Sequence, residues 1–108
     1  MEIPVSIRPA DQAGDFERLR AYAVQRGVER QLDHHLGQPR RRPALARLAE
    51  RGGELAGYAL IAHRRLRLGA ARLEVGSITA LQVEDSDDEL HAALLGDCLG
   101  VLLSLIHI

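Results

Sequence analysis

A chain of 108 residues, 46% of them hydrophobic, is long enough for one small domain or part of one, and with only 3% aromatic residues Ala and Leu must fill its core. The formal net charge of -1 gives no overall attraction to nucleic acid or to an anionic membrane surface. A single Cys excludes an internal disulfide, and no apolar run is long enough to span a bilayer.

No secretory signal is recognisable at the start, so a soluble cytoplasmic protein is expected. All 14 basic residues are Arg, a bias that points to a GC-rich bacterial coding sequence.

Residues 5–8 read as a short strand stopped by Pro9, which has no N–H for a ladder. A helix is expected to begin at Ala10 or Asp11, with Asp11 and Asp15 at its positive end and an apolar stripe of Phe16, Leu19, Tyr22 and Ala23. Gly27 ends it. A weaker helix is expected over residues 28–36. Its adjacent His34 and His35 project about 100° apart, with no Cys or carboxylate at a zinc-site spacing, and read as surface residues. In the run Gln38-Pro39-Arg40-Arg41-Arg42-Pro43, the Arg forks suit phosphate oxygens, but without aromatic stacking residues a solvated loop is the better reading.

Residues 44–51 are rich in helix formers, whereas the Gly52-Gly53 that follows is a two-residue hairpin signal between apolar segments. In residues 54–68, Leu55, Tyr58, Leu60, Ile61, Leu66 and Leu68 occupy both alternating faces, as in a central strand covered on both sides. Gly57, in mid-strand, marks a bulge or a close backbone approach. Gly69-Ala70 turns the chain into a second arm. There Leu73 and Val75 share one parity, Ile78 and Ala80 take the other, and Leu81 and Val83 return to the first. A strict period of two cannot place these side chains on one face, so irregular pairing is expected at residues 76–78 and again near Ala80.

Residues 84–89 hold five carboxylates and no glycine. Ser86 and Glu89 have capping-box spacing for a helix with a stripe of Leu90, Ala93, Leu94, Cys98 and Val101. Cys98 has no base beside it in sequence and reads as a small core residue. His63, in mid-strand among Arg residues, reads as structural.

The order VSIRPAD-x-x-D, ERGGELAGYALI, a long hairpin, EVGSITALQV and a helix resembles the N-terminal part of a GNAT-superfamily N-acetyltransferase, over most of residues 5–102. The resemblance implies an α/β fold with a mixed, mostly antiparallel sheet of about four strands flanked by helices. It makes residues 44–51 a strand. It implies acetyl transfer from acetyl-CoA to a small-molecule or protein amine, with acetyl-CoA lying along the bulged fourth strand. Cofactor contacts are implied at Leu81, Gln82 and Val83, and at Ser86 and His91 in the loop equivalent, with Glu74 as the carboxylate that takes the acceptor's proton. Its competing reading is an ion pair with Arg64, Arg65 or Arg67. The family's glycine-rich pyrophosphate loop is replaced here by the acidic residues 84–89, which repel phosphate. A catalytically inactive GNAT-like binding or regulatory module is therefore the alternative. No metal, nucleic acid or membrane partner is implied.

The last six residues, LSLIHI, match a translated sequencing adapter. The expectation is a partial GNAT-like domain over residues 1–102, a non-native tail over 103–108 that removes His107 from the candidates, and a fourth strand exposed for self-association because the fifth is missing.

Overall fold

The computed structural model describes residues 5–36, 45–84 and 87–106. Ser86, the Arg40-Arg41-Arg42 run and His107 lie outside them. In chain order the elements are β1 (Val5–Pro9), α1 (Asp15–Arg26), α2 (Glu29–Leu36), β2 (Ala46–Arg51), β3 (Glu54–Leu68), β4 (Ala71–Val83) and α3 (Asp88–Ile106). The strands form one sheet in the order β1-β2-β3-β4, each antiparallel to the next. β4 is therefore an edge strand among the described residues.

Residues 46–51 resolve in favour of the hairpin. Gly52 and Gly53 adopt φ of 63° and 83°, the left-handed pair that a tight two-residue turn needs and that residues with a Cβ resist.

Two apolar layers clasp the sheet. On one face Leu19 and Ala23 of α1 and Leu32 of α2 pack against Ala46, Leu48, Tyr58, Leu60 and Ala80. On the other, Leu90, Leu94 and Cys98 of α3 pack against Ala49, Ala59 and Ile61, with Ile78, Leu81 and Val83 half-buried beside them. Ala93 is exposed, so the α3 stripe runs through Leu90, Leu94, Cys98, Val101 and Leu102.

The β3–β4 register explains the conflicting parities. Pairing is regular from Leu68↔Ala71 to Ile61↔Ile78, then resumes at Leu60↔Ala80. The ladder is therefore uninterrupted at residues 76–78, where a break was expected, and Thr79 is the inserted residue. With Thr79 bulged out, Ile78 shares a face with Leu81 and Val83 while Ala80 turns to the opposite core. The Thr79 hydroxyl donates to the Leu60 carbonyl at 3.3 Å, holding the bulge. A second bulge at Ala56 shifts the register between β2 and β3. At Gly57 a Cβ would sit 2.7 Å from the Gln82 carbonyl oxygen, so close approach by β4 fixes glycine there.

α1 begins at Asp15 rather than at Ala10 or Asp11. The Asp15 carboxylate is buried, accepts the Gln12 N–H at 2.8 Å and is gripped by both terminal nitrogens of Arg8 at 2.8 and 2.9 Å. Those bonds hold residues 10–14 in a turn. Arg8 Nε also donates to Glu50 at 2.6 Å, joined by Arg18 at 3.0 Å, so one charged network links β1, β2 and α1. α2 departs from expectation at one residue: His34 is exposed, but His35 is buried.

Hydrogen bonding from Arg8 holds both the Asp15 and Glu50 carboxyls below their ordinary range, against the opposing effect of burial. Because the folded pKa is depressed, this stabilisation is full above the unfolded carboxyl pKa of about 4 and is lost as pH falls through the folded value. Asp15→Asn is expected to cost about 2 to 3 kcal/mol in urea unfolding at neutral pH. The gap from wild type should narrow as the pH drops below about 4.

Candidate functional site

The outer edge of β4 beyond the bulge is the candidate site. The Glu84 N–H donates to the Ala56 carbonyl at 3.1 Å, so Gln82 and Ala80 turn their backbone groups toward β3 by the alternation of an antiparallel ladder. Leu81 and Val83 turn theirs outward. Their side chains, with Ile78, lie half-buried on the α3 face, while Gln82 shares the face of its partner Tyr58. The bulge thus presents outward peptide groups beside an apolar wall.

One of these groups is already engaged. A terminal nitrogen of Arg26, in the last turn of α1, donates to the Val83 carbonyl. The same guanidinium lies over the Tyr22 ring, 5.2 Å from its centroid, and Tyr22 packs edge-on against Tyr58 with centroids 5.9 Å apart. The Tyr22 hydroxyl donates to the Ala56 carbonyl at 3.1 Å, tying this group to the β3 bulge. Burial pushes the Tyr58 phenol up from its ordinary pKa, so it stays neutral.

At the start of α3 the helix end is capped by protein. Asp87 caps the helix: one carboxylate oxygen accepts the Leu90 N–H at 3.0 Å, and the other accepts from Arg51 at 2.8 Å. Those contacts, the Leu90 N–H foremost, hold its pKa below the ordinary range. The helix starts at Asp88, so the cap falls at Asp87 and not at Ser86, the position that the Ser-x-x-Glu spacing indicates. Arg51 also lies 3.6 Å from Glu84, and Asp88, Glu89 and His91 are exposed. The residues present fit a pantetheine arm along Leu81 and Val83, but they do not fit a pyrophosphate at this helix end.

Glu74 stands apart. It lies on the α3 face, 3.3 Å from Arg65 and 3.4 Å from His63, and is half-buried. At about 3.3 Å per residue it is roughly 20 Å along β4 from Leu81, too far for both to meet one reacting centre. α1 and α2 cover the opposite face of the sheet. Cys98 is fully buried, and burial first, then Asp97, pushes its thiol up to about 11, which keeps it protonated and unreactive at neutral pH. The sequence reading missed Arg26 and Arg51. The four-residue spacing of Tyr22 and Arg26 on one helix is a signal for the first, whereas nothing local marks the second.

Two solved structures are similar to this chain in fold. N-acetylglutamate synthase from Neisseria gonorrhoeae, complexed with coenzyme A and N-acetyl-glutamate, superposes with a TM-score of 0.55 at 20% identity, over 96% of this chain and 24% of that one. Ribosomal-protein-alanine N-acetyltransferase from Brucella melitensis biovar Abortus 2308 gives a TM-score of 0.54 at 17% identity, over 96% of this chain and 73% of that one. The fold is GNAT-like. This chain spans about a quarter of the length of the first neighbour. No protein-family model and no curated protein matches it. Among the described residues, no helix is long and apolar enough to cross a membrane.

Within this GNAT-like frame, Arg26 both packs on Tyr22 and satisfies Val83. Arg26→Met is expected to lower stability by about 1 to 2 kcal/mol in chemical denaturation. An unchanged midpoint would mean that the Val83 carbonyl is not held by this side chain.

Proposed function

We propose that this chain is part of a GNAT-type N-acetyltransferase that moves an acetyl group from acetyl-CoA to an amine. The observation that carries the reading is the Thr79 bulge, which sets the outward backbone groups of Leu81 and Val83 against the half-buried wall of Ile78, Leu81 and Val83. An acyl-pantetheine arm is an extended chain with two amides, and such an edge offers it strand-like hydrogen bonds. The amine could attack the thioester held there directly, a reaction that depends on positioning. The amine acceptor is a small molecule or a protein N-terminus or side chain.

A second reading, a GNAT-like binding or regulatory module without catalysis, is favoured by the acidic β4–α3 junction. Asp87 and Arg51 close the helix end, and the surrounding carboxylates repel a pyrophosphate. On both readings the phosphates of acetyl-CoA add little affinity to this 108-residue chain.

Titrating acetyl-CoA and S-acetyl-pantetheine in parallel, by calorimetry and amide NMR, separates these readings. The expected result is weak binding of similar strength for both ligands, with shifts centred on Leu81, Gln82 and Val83. Undisturbed amides there with either ligand would eliminate the acetyltransferase reading and leave the binding module. A tight stoichiometric complex with acetyl-CoA alone would show that the acidic junction does not exclude phosphate.

A further inference from the structure

We propose that the outer edge of β4 docks a second copy of this chain, β4 against β4 in antiparallel orientation across a two-fold axis. The inference does not rest on the acetyltransferase reading, because it is argued from the phase and charge of the strand, but a second copy and an acyl-pantetheine arm would compete for the outward groups of residues 81 and 83.

The charges of the strand are divided between its ends. At the tip of the β3–β4 hairpin Arg64, Arg65, Arg67 and Arg72 are exposed, and Glu74 is the lone carboxylate of residues 62–77. Arg67 and Arg72 are direct cross-strand partners, a like-charge arrangement that destabilises a hairpin unless an anion lies nearby. At the foot of β4, Glu84, Asp87, Asp88 and Glu89 gather, with Arg51 paired to Glu84 and Asp87. An antiparallel two-fold pairing brings the basic tip of each copy to the acidic foot of the other, so both ends are complemented at once.

The ladder phase permits this register. Before the bulge the outward backbone groups belong to residues 72, 74, 76 and 78, and after it to residues 81 and 83. Reversing this set pairs Arg72 with Val83 of the second copy, Glu74 with Leu81, and Gly76 with Ile78. Every partner is then outward-facing, the Val83 carbonyl being shared with Arg26 of its own chain, and Arg72 lies beside Glu84 of the second copy. Across each bulge the ladder carries one irregularity, where residues 79 and 80 of one copy face the single residue 75 of the other.

The pairing also covers apolar surface. Leu73 and Val75 are 44% and 40% exposed on the α1–α2 side of the arm, next to Leu66 at 47%. In the dimer they lie alongside Gln82 and Ala80 of the second copy, where α1 and α2 extend the core. A long edge strand with such a flank is a template for pairing with another chain.

The test is the solution mass of the 108-residue chain, without ligand, over a wide concentration range at low and high salt. A dimer is expected, weakening as salt rises. Arg72→Glu and Glu84→Arg should each raise the dimer dissociation constant by about tenfold, and the two together should restore it. Arg72 has no ion-pair partner within the chain among the described residues, so its reversal spares the monomer fold. Residue-resolved hydrogen exchange supplies the second readout, with the amides of residues 74, 76 and 81 slowing as concentration rises. A monomer at every concentration overturns the proposal. So does a dimer indifferent to both charge reversals, or one that leaves those amides unprotected.

Discussion

The period of two in a β-strand is the constraint on which this structure turns. β4 has to bury Ala80 against α1 and α2, and Ile78, Leu81 and Val83 against α3. A regular ladder cannot do both, because Ile78 and Ala80 would point the same way. Inserting Thr79 resolves the conflict, and its hydroxyl bond to Leu60 anchors the inserted residue. The two cores and the outward peptide groups of Leu81 and Val83 are thus settled by one extra residue.

Electrostatics divides the molecule in a complementary way. The buried Asp15 carboxylate is fully met: it receives two bonds from Arg8 and one from the Gln12 backbone, which fixes the entry to α1. At the foot of β4, Arg51 lies 3.6 Å from Glu84 and 2.8 Å from Asp87, and Asp88 and Glu89 that follow are exposed. On the proposed reading this edge takes the acyl-pantetheine end of a thioester ligand, while the carboxylates at the helix end oppose its phosphates.

Much of this was legible in the sequence because it rests on local rules. Gly52-Gly53 marked the β2–β3 turn, the stripe through Leu19 and Ala23 marked α1, and the broken parity of β4 announced a bulge. The bulge position was legible in part: the parity change from Ile78 through Ala80 to Leu81 placed an irregularity near Ala80, where it is found, but the break expected at residues 76–78 is absent, and the choice of Thr79 depends on pairing with Leu60. The start of α1 was hidden for a similar reason, since Asp15 is claimed by Arg8 from a separate strand. Likewise His35 reads as a polar surface residue until α2 is folded onto the sheet. Glu74 shows the converse, a residue type suited to proton transfer that folding places beside Arg65, roughly 20 Å along the strand from the backbone of Leu81.

The most direct test of the account is the response of the Leu81 and Val83 amides to S-acetyl-pantetheine in a chain lacking Thr79. Deleting that residue leaves Ile78, Ala80, Leu81 and Val83 on their present faces while removing the bend that a bulge imposes. The account predicts a folded protein with a continuous β3–β4 ladder whose Leu81 and Val83 signals no longer move on titration. Shifts equal to those of the intact chain would contradict it, because the ligand would then be reading an ordinary strand edge and not the bulge.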